Sequence, residues 1–310
     1  MDHLSNEQVR DILFRNEDTV VEYMENVFRD YVDGTAEMVP KIYLAMRNGD
    51  YRAMPARWGD YSGVKWISVY PDNHKHNLPT IHGTLLLNDT YTGQPIISMD
   101  CAELTAYRTA AVSALAAKHL TDAEDVNTIA IVGCGYQAHL HATMYRAVFP
   151  NLQQVKVYDK SSAAARSFCD WLQDHYIGSS WSVCECVRAT CANSDVVTTL
   201  TPSTEPYLGV TDIDSVKHIN AVGADAVGKR ELESSIWSKC ALVVDDWTQA
   251  SHSGETQYRK DINGYRTLGN VITSGGKELL DQPTVFDSTG LAIEDIAIGR
   301  LIYELSQQKQ

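Results

Sequence analysis

Between Thr128 and Asp159 the chain reads TIAIVGCGYQAHLHATMYRAVFPNLQQVKVYD. The order is an apolar strand, a glycine turn, a helix, a β-type run and an acid, which is what a dinucleotide-binding βαβ unit requires. Gly133 permits the tight turn, Gly135 lets backbone approach a pyrophosphate, and Ala138 keeps helix and strand close. The helix start, with Tyr136 and Gln137, offers free N–H groups and a positive dipole end to phosphate. Asp159 can accept two ribose hydroxyl hydrogen bonds and would repel a 2′-phosphate, which favours NAD. Lys160 and Ser161 follow and soften that preference, so NADP stays possible. A lone glycine motif also fits a structural turn, and here the flanking strand, helix and acid argue for the cofactor.

Other residues able to do chemistry lie on both sides of this unit. Lys65 interrupts the apolar-rich GVKWISVY, and Arg108 sits in an alanine-rich helix start. Charges in such settings are costly to bury without a partner. Lys41 and Arg52 add two more cations, and each of the four also reads as a solvated surface charge. Thr201-Pro202-Ser203 and Gly223-Ala224-Asp225 end two apolar runs, Asp195 to Leu200 and His218 to Val222. Asp225 alone reads as a turn acid at a strand end. Cys184, Cys186 and Cys191 cluster without a histidine partner, a poor zinc arrangement. All seven cysteines are expected to be reduced thiols, and no metal is expected.

These residues need a frame. Ser5-x-x-Gln8 has the form of a capping box opening a helix through Leu13. Apolar residues from Glu17 to Asp33 recur at helical spacing. Residues 38–100 read as strands parted by Gly, Asn, Asp and Pro turns, and Leu104 to Leu120 as a helix. After Asp159 the pattern gives a helix from Ala163 to His175 and strands at Trp181–Val187, Asp195–Leu200, His218–Val222 and Ala241–Asp245. The last stretch, LAIEDIAIGRLIYELSQ, reads as one amphipathic helix. The expected fold is α/β: a Rossmann-type doubly wound parallel sheet plus a β-rich α+β domain. Residues 1–120, joined by the helix at 291–310, would form the latter, and 121–290 the dinucleotide domain.

With 310 residues, 44% hydrophobic and 21% charged, the composition is that of a globular protein. The formal net charge of -14, with no basic block, argues against nucleic acid or an anionic membrane as partner. No apolar run reaches the ~20 residues of a membrane span, and a cytoplasmic location is expected.

Set in line, the phrases PKIYLAM, GDYRAMP, GVKWISVYP, ELTAYRTAAVSALAAKHL, GCGYQAH, INAVGADAVGKREL, VVDDWTQASHSGE and TVFDSTGLAIEDIA resemble the ornithine cyclodeaminase/mu-crystallin family over nearly the whole chain. The phrasing is most similar to the family's archaeal-type alanine dehydrogenases. The resemblance implies a homodimer, with the first domain and last helix as its substrate-binding and dimerisation domain, and an NAD-dependent oxidoreductase joining a small L-amino acid to its imino or 2-oxo acid plus ammonia. It implies Lys65 and Asp225 as catalytic residues, with Lys41, Arg52 and Arg108 holding the carboxylate. Ser288 and Gly290 would approach the nicotinamide or cap the last helix, and Thr201-Pro202-Ser203 would line the cofactor. Arg52 stands where the cyclodeaminases have a glutamate, which argues against a substrate with a second ammonium. His82 replaces a methionine of the alanine dehydrogenases; it is either a substrate-side group favouring a polar or acidic side chain, or a structural histidine. The rivals are a cyclodeaminase, a cyclic ketimine reductase, and a mu-crystallin-like binding protein without turnover.

Overall fold

A computed structural model describes residues 1–175, 179–259 and 264–308. In chain order it contains β1 (Asp2–Leu4), α1 (Asn6–Leu13), α2 (Glu17–Val32), β2 (Ala36–Met38), β3 (Ile42–Met46), β4 (Gly49–Trp58), β5 (Tyr61–Val69), β6 (Ile81–Asp89), β7 (Pro95–Asp100) and α3 (Ala102–Leu120). Then come β8 (Thr128–Val132), α4 (Tyr136–Val148), β9 (Gln154–Tyr158), α5 (Ser162–His175), β10 (Ser180–Val183), α6 (Val187–Cys191), β11 (Val196–Thr199), β12 (His218–Ala221) and β13 (Ala241–Val244). The chain closes with α7 (Trp247–Ser253), β14 (Tyr265–Thr267), α8 (Leu268–Ser274), β15 (Thr284–Asp287) and α9 (Ala292–Gln308).

Two compact units result. One comprises Met1–Ala111 with Leu291–Gln310, the other Val112–Gly290. The division falls inside α3, nine residues ahead of that helix's end at Leu120.

In the first unit the strands run β1-β7-β6-β5-β4-β2, with β3 also on β4. The β4, β5, β6 and β7 pairings are antiparallel, and β1 adds a parallel edge strand that polar Asp2-His3-Leu4 did not announce. The Ser5 capping box forms as its spacing required. α9 packs against β4, β5, β6 and α2. It comes close because Gly299 has no side chain: a Cβ there would lie 2.4 Å from Leu85 Cδ2. Amphipathic is the wrong description of this helix. Ala292 to Gly299, Leu301 and Ile302 are buried, so it is enclosed all round except toward its C-terminus. The opposite face of the sheet keeps Ile42, Leu44, Met46 and Trp66 exposed.

The second unit is an eight-stranded sheet in the order β10-β9-β8-β11-β12-β15-β13-β14, parallel at every pairing. Its buried strands are short apolar runs, as parallel sheets covered on both faces demand. The run expected as a strand from Trp181 to Val187 stops at Val183, and Val187 opens α6. The chain order steps outward from β8 in both directions, so β8 and β11 flank the switch point where open α/β sheets bind ligands.

Candidate active site

The glycine turn leaves β8 at that switch point. Gly133 has φ +102°, and a Cβ there would lie 2.9 Å from the Leu200 carbonyl oxygen, so only glycine fits. Gly135 caps α4 with no side-chain hydrogen bond, and a Cβ on it would meet nothing within 4 Å. The space in front of this turn and the first N–H groups of α4 is therefore open for a phosphate. A cavity of about 600 Å³ is lined by Gly133, Gly135, Asp159, Lys160, Thr201, Pro202 and Ser203, all singled out by sequence. Val187, Thr204, Glu205 and Tyr207 also line it, and no motif pointed to them. Tyr136 is exposed and Ala138 buried, on the first turn of α4 with Gln137.

Asp159 braces the turn as well. Its Oδ2 accepts from Cys134 N at 2.8 Å and its Oδ1 from Ser161 N at 2.7 Å. Each oxygen keeps a second lone pair. Asp225 lies half-buried beyond β12, its Oδ1 2.5 Å from Lys229 Nζ. Ser288 donates its N–H to the Ala221 carbonyl. Gly290 spends N–H on Asp245 Oδ2 at 2.8 Å and its carbonyl on Gln249 Nε2 at 2.9 Å. Both backbone groups of Gly290 thus tie the start of the last helix to Asp245 and Gln249.

In the first unit the pleat decides which side chains meet. Met54 pairs with Lys65 and Lys65 with Leu85, so Arg52, Met54, Lys65 and Leu85 share the face that α9 covers. Lys65 is 1% exposed. Its Nζ donates to Asp295 Oδ1 at 2.6 Å and to Thr105 Oγ1 at 3.3 Å. Arg108 NH1 donates to Glu294 Oε2 at 2.8 Å, and its Nε lies 3.2 Å from Asp295 Oδ1. Glu294 Oε1 accepts the Leu291 N–H at 3.0 Å, closing the start of α9. Arg52 forks onto Asp50, with Nε to Oδ1 at 2.7 Å and NH2 to Oδ2 at 3.4 Å, and its guanidinium lies 5.3 Å from the Tyr43 ring centre. Burial pushes the Lys65 ammonium below its ordinary range, and Asp295 holds it partly back up. Lys41 stands half-buried one residue ahead of β3.

Sequence reasoning missed the three acids. Asp50, Glu294 and Asp295 set three negative charges against Arg52, Lys65 and Arg108. The signal was present in AIEDIAIG, where two adjacent acids interrupt an apolar run. His82 is placed elsewhere. It pairs with Ser68, three residues from Lys65, and so lies on the opposite face of the sheet, exposed. An odd offset along a strand reverses the face, and His82 does not join the cluster.

The model of the ornithine cyclodeaminase/mu-crystallin family matches residues 3–310. The chain belongs to this family. Among its members, an alanine dehydrogenase of Archaeoglobus fulgidus is 37% identical over 99% of this chain and 95% of its own length. A solved archaeal alanine dehydrogenase dimer with bound NAD superposes with a TM-score of 0.92 at 37% identity, covering 100% of this chain and 97% of that one. The Δ1-pyrroline-2-carboxylate reductase of Thermococcus litoralis, in complex with NADH and L-proline, has a TM-score of 0.93 at 29% identity, covering 100% and 98%. Among the described residues no helix is long and apolar enough to cross a membrane.

Proposed function

We propose that this family member is an NAD(H)-dependent oxidoreductase interconverting a small L-amino acid with its imino acid, and thereby with the 2-oxo acid and ammonia. The observation that carries the reading is one chain holding both a dinucleotide cradle and two buried, acid-braced cations, Lys65 and Arg108. Full-length likeness to an alanine dehydrogenase supports it. The cradle fits NAD: a helix start open to phosphate, a glycine that no other residue can replace, and Asp159 with lone pairs left for ribose hydroxyls. Asp159 favours NAD, and the adjacent Lys160 leaves NADP a weaker alternative. Bound there, the dinucleotide supplies or accepts the hydride at the substrate's α-carbon.

The remaining work belongs to side chains. Arg108, Lys65, Arg52 and Lys41 hold the α-carboxylate. Lys65 also polarises it from a buried position, where a charge acts through a low dielectric. Asp225 gives and takes the proton at the amine or imine nitrogen, with Lys229 Nζ beside its Oδ1. In the reductive direction ammonia and a 2-oxo acid lose water to give the imine, which gains a hydride and a proton. Asp50, Glu294 and Asp295 hold three of these cations in place, and Lys41 adds a fourth ahead of β3. With His82 off this face, the argument for an acidic side chain falls, and a small monocarboxylic substrate fits best.

The first unit, with the C-terminal helix, would hold substrate and form a homodimer through the uncovered sheet face bearing Ile42, Leu44 and Trp66; the second would hold NAD. Arg52 opposes a substrate with a second ammonium, although Asp50 offsets part of its charge. Absorbance at the NADH wavelength settles the matter, with 2-oxo acids plus ammonia and NADH, and amino acids with NAD. Net NADH change with pyruvate or a close homologue, abolished in Asp225→Asn with NADH binding retained, is expected. Ammonia release from ornithine without net NADH change would make the protein a cyclodeaminase.

A further inference from the structure

Beneath the nucleotide cavity lies a carboxylate with no part in the chemistry above. Glu231 is fully buried and accepts five hydrogen bonds. Its Oε1 takes Thr201 N at 2.7 Å, Thr201 Oγ1 at 2.6 Å and Tyr207 OH at 2.7 Å. Its Oε2 takes Thr199 Oγ1 at 2.6 Å and Gly223 N at 2.9 Å. One side chain thereby joins the loop after β11, which carries Thr201-Pro202-Ser203, to the loop after β12, which carries Asp225.

The contact is close enough to dictate sequence. A Cβ on Gly223 would lie 2.2 Å from the Thr201 carbonyl oxygen and 2.5 Å from Glu231 Cδ. The glycine turn rests on the same assembly, since a Cβ on Gly133 would lie 3.1 Å from Thr201 Cγ2. Glu231 is itself held from behind: Glu255 Oε1 accepts the Glu231 N–H at 2.5 Å and Oε2 the Leu232 N–H at 3.2 Å. Asp287 in turn accepts the Glu255 and Thr256 N–H groups at 3.0 and 2.9 Å. Burial lifts the proton affinity of Glu231, and hydroxyl and N–H donors oppose it.

We infer that Glu231 is a positioning residue that sets the spacing between the nucleotide-lining loop at Thr201–Ser203 and the loop bearing Asp225. The inference rests on the reading that this end of the sheet binds NAD(H). A carboxylate is needed because both of its oxygens face a backbone N–H, which can only donate. An amide in its place turns its NH2 toward either Thr201 N–H or Gly223 N–H, whichever way it is flipped, so one loop is pushed off.

The test compares Glu231→Gln, Glu231→Asp and Thr199→Val with the intact chain. The readouts are NADH affinity by fluorescence, kcat, and amide hydrogen exchange without nucleotide. In Glu231→Gln the exchange of the 201–203 and 223–225 segments rises at least tenfold while β8 and β9 stay protected. NADH affinity or kcat falls at least tenfold, according to which loop is displaced. Glu231→Asp, which keeps two acceptors one methylene short, recovers part of the loss. A folded Glu231→Gln protein within twofold of wild type in all three readouts overturns the inference. Should that variant not fold, Thr199→Val removes one donor without touching the cavity, and unchanged exchange at 223–225 overturns it equally. A wild-type protein that binds NADH without turnover refutes the oxidoreductase reading, while lost NADH affinity in Glu231→Gln still supports the brace.

Discussion

Replacing Asp295 by asparagine removes one negative charge from the pair that steadies Lys65 and Arg108. Asp295 Oδ1 lies 2.6 Å from Lys65 Nζ and 3.2 Å from Arg108 Nε, and it is fully buried. Deleting one partner of a buried ion pair costs about 3–5 kcal/mol, because the other charge is left uncompensated. Lysine has an exit, which is to lose its proton. At pH 7 that costs about 1.36 kcal/mol for each unit up to its unfolded pKa near 10.4, or about 4.6 kcal/mol in all. The loss is therefore bounded at about 5 kcal/mol, a large part of the ~5–15 kcal/mol of a typical domain. The sign of the pH dependence follows from the same fact. Burial lowers the Lys65 pKa in the folded state, so the folded protein binds fewer protons than the unfolded chain between that pKa and about 10.4. Stability then rises with pH, and removing Asp295 extends that rise toward neutral pH. Urea unfolding of wild type, Asp295→Asn, Lys65→Met and the double variant from pH 7 to 10 reads both effects. A coupling energy above about 2 kcal/mol is expected, with a raised KM for the 2-oxo acid. An Asp295→Asn loss below about 1 kcal/mol with an unchanged pH slope would refute the argument.

Two further outcomes follow from the second unit. Asp159→Asn removes a charged acceptor from the ribose position, and hydrogen bonds to charged groups are worth about 1.5–3 kcal/mol. NADH affinity should fall roughly 10–100-fold and the NADH-to-NADPH preference should narrow, as read by titration with both nucleotides. His141 and His218 are buried and neutral, pushed down to about 4 by loss of solvent. His141 sits between the Gln137 carbonyl and Ser113 Oγ, and His218 between Thr284 Oγ1 and Asn220 Oδ1. The unfolded chain takes up these protons near pH 6.5 and the folded protein only near 4, so stability is lost as pH falls through that window. Thermal melts from pH 7 to 4 should show a falling midpoint, less steep in His218→Asn.

The parts of this molecule that are legible in sequence are those written in contiguous residues. The glycine turn, the acid closing β9 and the apolar runs of β8, β11, β12 and β13 follow from local sterics and periodicity. Short-range pattern also explains the failures. Val187 continues an apolar-polar alternation, yet Cys186 leads into a helical turn. Thr284–Asp287 has no pattern of its own, and it becomes a strand only because β12 and β13 flank it. His82 lies in the right strand, but the pleat gives every second residue to the other face.

Partners of the buried charges could not be read in this way, because pairing is a property of the folded chain. Lys65 and Asp295 stand 230 positions apart, and Arg108 and Glu294 stand 186 apart. Burial of Lys65 within an apolar strand is affordable only if an acid arrives from somewhere, and the start of α9 is an apolar stretch interrupted by two adjacent acids. That logic makes the C-terminal helix part of the carboxylate-holding apparatus as well as its cover. Glu294 turns one oxygen to the Leu291 N–H and the other to Arg108, so the carboxylate that closes the helix start also orients the arginine. A substitution that frays the first turn of α9 should therefore raise the KM for substrate before it unfolds the sheet, since the cations lose their orientation while Met54, Leu85 and Leu87 remain packed.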